Sequence, residues 1–150
     1  MDWEELIKES STATFFQTKE WLSVWTKHWG KNLEVVIYAV FDNDELISIA
    51  PFSIGDKINI LGAPDLSKPA SLSDFGDIII KSGREKEVWE NLIRQCLVNL
   101  QGIALNFIRE ESPSFKILKE LGGKAEEMEV SPCIDLPKTW DEYLSTLDRH

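Results

Sequence analysis

Apolar positions along the chain recur in two rhythms, and the places where one gives way to the other mark the elements. Trp21, Trp25 and Trp29 return every fourth residue with Leu22 beside them, which predicts an amphipathic helix. Thr18 ahead of them can cap it, Phe15 or Phe16 can serve as the apolar staple before the cap, and Gly30 ends it. LEVVIYAVF, residues 33–41, is β-branched and aromatic throughout and predicts a strand. DNDE then turns the chain, and LISIAPFSI, residues 46–54, is its antiparallel partner. KINILG, residues 57–62, predicts a third, short strand, and DIII, residues 77–80, a buried one. The intervening APDLSKPASLSDFG, residues 63–76, is a loop, long for a compact domain.

The helical rhythm returns in SGREKEVWENLIRQCLVNLQG. Ser82 and Glu85 have capping-box spacing, and Val88, Trp89, Leu92, Ile93, Cys96, Leu97 and Leu100 mark one buried face that Gly102 closes. IALNFI, residues 103–108, predicts a strand. ESPSFKILKELGG predicts a short helix with Ser112 as cap, Pro113 in its first turn and Gly122 at its end. AEEMEVSPCIDL, residues 125–136, predicts a final strand interrupted by Pro132. In TWDEYLSTLDRH, Thr139 and Glu142 form another capping box, and Trp140, Tyr143, Leu144 and Leu147 an apolar stripe with no stop signal behind it. The order is helix, four strands, helix, strand, helix, strand, helix, with no internal repeat or interdomain linker. Strand and helix alternate in the second half, so the expected class is mixed α/β, with about six strands in a central mixed sheet flanked by helices.

Composition narrows the function classes. The chain has 150 residues, 43% hydrophobic and 28% charged, which suits one domain with a sizeable core. Sixteen basic residues against 26 acidic ones leave a net charge of −10, and no basic run offsets it. Such a surface repels phosphate backbones and anionic membranes, so nucleic acid is not an expected partner. The apolar runs are too short for a membrane span, which needs about 20 residues. MDWEELIKES is acidic and amphipathic, unlike a signal peptide, and the expected compartment is the cytoplasm. Cys96 and Cys133 match no metal spacing; they read as small apolar residues in a reducing compartment, with a single disulfide as the alternative.

Candidate chemistry is sparse. His28 and His150 are the only histidines, and His28 lies beside Trp29 with no carboxylate at ligand spacing, so no metal site is expected. No nucleophile elbow of the G-x-S-x-G kind occurs. EEMEVS, residues 126–131, reads as a solvated strand edge. Backbone amides at a helix start can hold phosphate, and one junction qualifies: Lys81, Ser82, Gly83 and Arg84, between a buried strand and the strongest helix. The same glycine and serine also suit any tight strand–helix turn. The tryptophan stripe reads as a helix docked on a sheet through large rings, or as a stacking platform.

The segments TFFQTKEWLSVW, ELISIAPF, LGAPDLSKPASLSDFGDIII and SPCIDLPKTWDEYLSTL, taken in order, resemble the N-terminal half of CelD-like acetyltransferases. These are double-domain GNAT acyltransferases related in layout to Fem-type enzymes, and the likeness runs over residues 12–147. It implies a GNAT-like domain over 1–137 and, from 138 to 150, the start of a connector helix to a second GNAT half that holds the acyl donor. On this reading the chain is a fragment. Active GNAT halves carry Q/R-x-x-G-x-G/A after the fourth strand; here IIIKSGREKE has one glycine, and Glu85 and Glu87 stand in the first helical turn. The resemblance therefore implies a degenerate half that binds no coenzyme itself, with acetyl-CoA or another acyl-CoA belonging to the whole enzyme. Its expected role is to shape an acceptor site for a small-molecule or cell-envelope amine and to support the catalytic half, in the same chain or in a homo-oligomer.

No catalytic residue is assigned. Ligand-facing candidates follow from the ends of central strands, where α/β sheets bind: Lys81 and Ser82 after one strand, Arg109 and Glu110 after the next, Asp74 and Phe75 in the long loop. The alternative function is a non-enzymatic protein- or glycan-binding module that uses exposed tryptophans.

Overall fold

The computed structural model describes residues 2–55, 57–62, 73–96, 102–128, 130, 132 and 134–147. Residues 63–72 of the loop expected over 63–76, the expected end of the long helix over 97–101, Cys133 and residues 148–150 lie outside the described residues, and so does the side chain of Cys96.

An N-terminal helix, α1 (Trp3–Glu9), precedes everything the sequence reading assigned to a helix. Asp2 caps it by accepting the Glu5 N–H at 2.9 Å. Its buried residue, Leu6, packs with Leu46, Ile49 and Ile79 against one face of the sheet. A short 3-10 turn (Phe15–Gln17) leads into α2 (Lys19–Trp29), where Thr18 accepts the Trp21 N–H as the cap expected of it. Gly30 closes α2 under a tight contact: a Cβ there would lie 2.9 Å from the Thr26 backbone.

β1 (Glu34–Asp42) and β2 (Glu45–Ile54) form an antiparallel hairpin. Its two-residue loop, Asn43–Asp44, has positive φ at both positions, the geometry that lets the strands keep their twist. The register steps from Val40↔Ser48 to Phe41↔Leu46, so Ile47 is the extra residue of a bulge. That single insertion reverses which face each side chain meets. Ile47 joins Ala50 and Phe52 in one core, while Leu46 and Ile49 face α1. Residues 46–52 of β2 are buried, as suits the strand in the middle.

β3 (Ile58–Ile60) and β4 (Ile79–Ile80) lie in tandem on the other edge of β2, both antiparallel to it. β5 (Ile103–Ala104) pairs with β3 in parallel, so the sheet is mixed, in the order β1-β2-β3-β5 with β4 also on β2. On the free side of β4, Thr12 donates its hydroxyl to the Ile78 carbonyl at 2.6 Å and accepts the Ile80 N–H at 3.1 Å. α3 (Glu85–Cys96) and α4 (Pro113–Glu120) cover the face opposite α1, burying Val88, Trp89 and Leu92 against Ile47, Phe52, Ile58, Ile60, Ile78 and Ile80. Ser112 caps α4 with Pro113 at its start, as expected. The last element, α5 (Trp140–Thr146), has its complete Thr139–Glu142 capping box and buries none of its residues.

Three expectations are corrected. The described residues form five strands, because 125–128, 130, 132 and 134–136 are not in a strand. Val130, Ile134 and Leu136 there are 70–80% exposed, so strand-like residues in this run are not packed against the sheet. β5 stops at Ala104 instead of reaching 108, because the chain turns at Asn106 and Phe107, the latter at φ 59°. Gly76 crosses that turn, donating its N–H to the Phe107 carbonyl, and a Cβ on Gly76 would sit 2.3 Å from the Asn106 oxygen. Finally, Ser82 does not cap α3. Its N–H and hydroxyl both go to the Glu9 carbonyl, so Ser82 finishes α1. Among the described residues no helix is long and apolar enough to cross a membrane.

Candidate functional site

The junction between β4 and α3 is the one place where the sequence offered either an anion seat or a plain tight strand–helix turn. Gly83 has φ +85° and presents its N–H, as an anion cradle requires. The seat is taken by the chain's own Glu85, whose Oε1 accepts that N–H at 3.1 Å and the Ser11 hydroxyl at 2.5 Å. Burial works against the charge on Glu85. The Ser11 hydroxyl and the backbone N–H groups of Glu85 and Gly83 outweigh it and hold the carboxyl below its ordinary value.

The cations beside it are likewise matched. Lys81 Nζ pairs with Glu45 and, at 3.1 Å, with Glu9, which raises its pKa chiefly through the Glu45 hydrogen bond. Arg84 donates to Glu87 at 2.7 Å and to Asp42 at 2.9 Å. Two cations meet four carboxylates here. An incoming anion would have to displace an internal partner at every contact.

At the other end of β4 lies a group the sequence reading missed. Asp77 is 4% exposed, and its carboxylate accepts the Ser112 hydroxyl at 2.6 Å, the Ser114 hydroxyl at 2.8 Å and the Ile78 N–H at 2.8 Å. Ser114 in turn accepts the Trp89 indole N–H at 2.9 Å. The network ties β4, α3 and the start of α4 together through one buried charge. Burial pushes Asp77 up to about 6, with the two serines, Ile78 and the Arg109 charge pulling less strongly the other way. The signal available in the sequence was an aspartate opening the most apolar run of the chain, with two serines at the head of a later helix.

The six ligand-facing candidates divide between these two ends, about 13 Å apart by the rise of four strand residues. Lys81 and Ser82 belong to the ion-pair end. Phe75 and Arg109 come together at the Asp77 end: the Arg109 guanidinium lies 5.7 Å from the Phe75 ring centre, and Phe75 meets Phe16 edge-on at 6.0 Å. Arg109 also approaches Glu111 at 3.8 Å. Asp74 and Glu110 are exposed beside this pair. The two groups separate because β5 is too short to carry Arg109 alongside the end of β4.

The tryptophan helix is docked differently from the expectation of large rings on a sheet. Leu22 is its buried residue; Gly62 leaves it room, since a Cβ there would come within 3.0 Å of Leu22 Cδ2. Trp21 is half-buried among Phe15 and Phe16 and donates its indole N–H to the Ser73 hydroxyl at 2.9 Å. Trp21, Val24, Trp25 and Trp29 line a shallow groove of about 100 Å³. Val24 is 54% and Trp29 45% exposed. His28 is exposed beside Trp29, and among the described residues no three His, Cys, Asp or Glu side chains gather as a metal site would require.

Comparison with protein-family models, with curated proteins and with solved structures finds no match to this chain.

Proposed function

We propose that this chain is a degenerate GNAT-like half of an acyl-CoA-dependent N-acyltransferase, one that shapes the acceptor site and leaves the donor to a second half. The observation that carries the reading is the β4–α3 junction filled by Glu85. A coenzyme pyrophosphate needs free backbone donors and unpaired cations at such a place, and here both are committed inside the chain. The mixed sheet, with helices on both faces and alternating strand and helix after Asp77, supports the same reading. In the reaction the acceptor amine attacks the thioester carbonyl; the C–N bond forms, the C–S bond breaks, the thiolate leaves and a base takes the amine proton. This half contributes position. The Phe75–Arg109 pair, flanked by Asp74 and Glu110, is the surface offered to the acceptor, its carboxylates suited to an ammonium group.

The test is a pair of measurements on the purified chain. Calorimetric titration with acetyl-CoA should give no heat at millimolar donor, while an amino sugar or an aminoacyl compound should raise the melting temperature, and Asp74→Asn with Glu110→Gln should abolish that rise. Micromolar donor binding that disappears in Lys81→Ala and Arg84→Ala overturns the degenerate half. Silence toward both ligands overturns the acceptor role.

The half-exposed Trp groove favours a second reading, a non-enzymatic module. Its walls are apolar and offer no polar groups to fix sugar hydroxyls, so the chemistry suits a protein side chain better than a glycan.

A further inference from the structure

Among the described residues two apolar stripes lack a cover, and they match. On α5, Trp140, Tyr143, Leu144 and Leu147 follow at steps of three and four, with Trp140 68%, Leu144 45% and Leu147 49% exposed. An isolated helix of seven residues is far below the 12–15 that stand alone in water, so a complete capping box on α5 calls for a packing partner. On α2, Trp21, Val24, Trp25 and Trp29 repeat nearly the same steps around an open groove, which the 63% exposed Phe15 extends beside Trp21.

Charge gives the direction. The chain carries −10 overall, yet residues 19–31 hold three lysines against one glutamate, a local net of +2. Lys19, Lys27 and Lys31 are exposed and form no ion pair with the described residues. His28 stands between Val24 and Trp29 on the same face. Residues 139–147 carry Asp141 and Glu142 and no cation, a local net of −2, placed in the first turn of α5.

We propose that α5 of one copy of this chain seats in the Trp21–Val24–Trp25–Trp29 groove of a second copy, with Asp141 at the rim of the α5 stripe against Lys27 at the Val24 edge of the groove, and that the exchange is reciprocal. A two-fold axis then buries both stripes twice from one set of contacts. The inference stands on these two surfaces alone and is independent of the acyltransfer reading.

Sedimentation velocity over a wide concentration range tests it. The wild-type chain should form a reversible dimer. Trp140→Ala and Val24→Asp, both at exposed positions and checked for an unchanged circular dichroism spectrum, should each weaken dimerisation at least about tenfold, as loss of a central apolar anchor does. Because each mixed pair keeps one intact groove facing one intact α5, mixing the two variants should restore part of the association that neither shows alone. Lys27→Glu should weaken the dimer, and adding Asp141→Lys should recover it. A monomer at every concentration overturns the proposal, including the case in which α5 folds onto its own groove. A dimer indifferent to Trp140 and Val24 overturns it equally.

Discussion

Two carboxylates bracket β4, and they respond to folding in opposite ways. Asp77 precedes the strand and accepts two serine hydroxyls and a backbone N–H; Glu85 follows it and accepts one serine hydroxyl and the Gly83 N–H. The partners of Asp77, Ser112 and Ser114, are buried, whereas those of Glu85, Ser11 and Gly83, are exposed. Desolvation therefore wins at Asp77, which rises to about 6, and loses at Glu85, which falls. Hydrogen bonds of the same kind, and even one more of them at Asp77, leave the carboxylate raised or lowered according to how far the group and its partners lie from water. The buried end makes a clasp that fixes three elements; the exposed end fills an anion seat.

Breaking the clasp should have the largest effect. Asp77→Ala leaves two buried hydroxyls and the Ile78 N–H without their acceptor and should cost about 2–4 kcal/mol in urea denaturation at neutral pH. Next comes the pH dependence. A carboxyl raised on folding binds its proton more tightly in the folded chain, so its contribution to stability is fullest below the unfolded value of 3.8 and is lost as pH rises through about 6. Across that window the loss amounts to about 3 kcal/mol at most, at about 1.4 kcal/mol per unit. Asp77→Asn should remove this component, so that wild type minus variant stability slopes downward with pH.

Glu85→Gln should sharpen the comparison by showing the reverse slope. A carboxyl lowered on folding stabilises above its unfolded value, and that stability goes as pH falls through the folded value. The difference should be about 1 kcal/mol or less, the worth of a charge-assisted bond near water. Lys81→Ala should change least. Its pairs with Glu9 and Glu45 are reached by solvent, so the denaturation midpoint should scarcely move, and any shift should vanish in high salt.

How much of this was legible beforehand differs by element. The Thr18–Gly30 helix, the 34–54 hairpin and the Ser112-capped helix could be read because caps, turns and periodicity are local. α1 was missed although Asp2 and Glu5 sit at capping spacing and Trp3, Leu6 and Ile7 follow at helical steps, the same local signals that gave α5. The run over 125–136 has strand-like residues, yet its described residues pair with no strand, and pairing is a property of two segments. Ser82 and Glu85 have perfect capping-box spacing, yet each found a better partner, Glu9 and Ser11, more than seventy residues away.

The sequence by itself determined the class, the mixed sheet with helices on both faces, and the net charge of −10, because composition and period act over neighbours in the chain. Only the tertiary structure decided that Asp77 would be a buried clasp, that Glu85 would occupy the junction and that the tryptophans of α2 would line an open groove. Those outcomes depend on desolvation and on donors from distant segments, and neither is set until the chain has closed on itself.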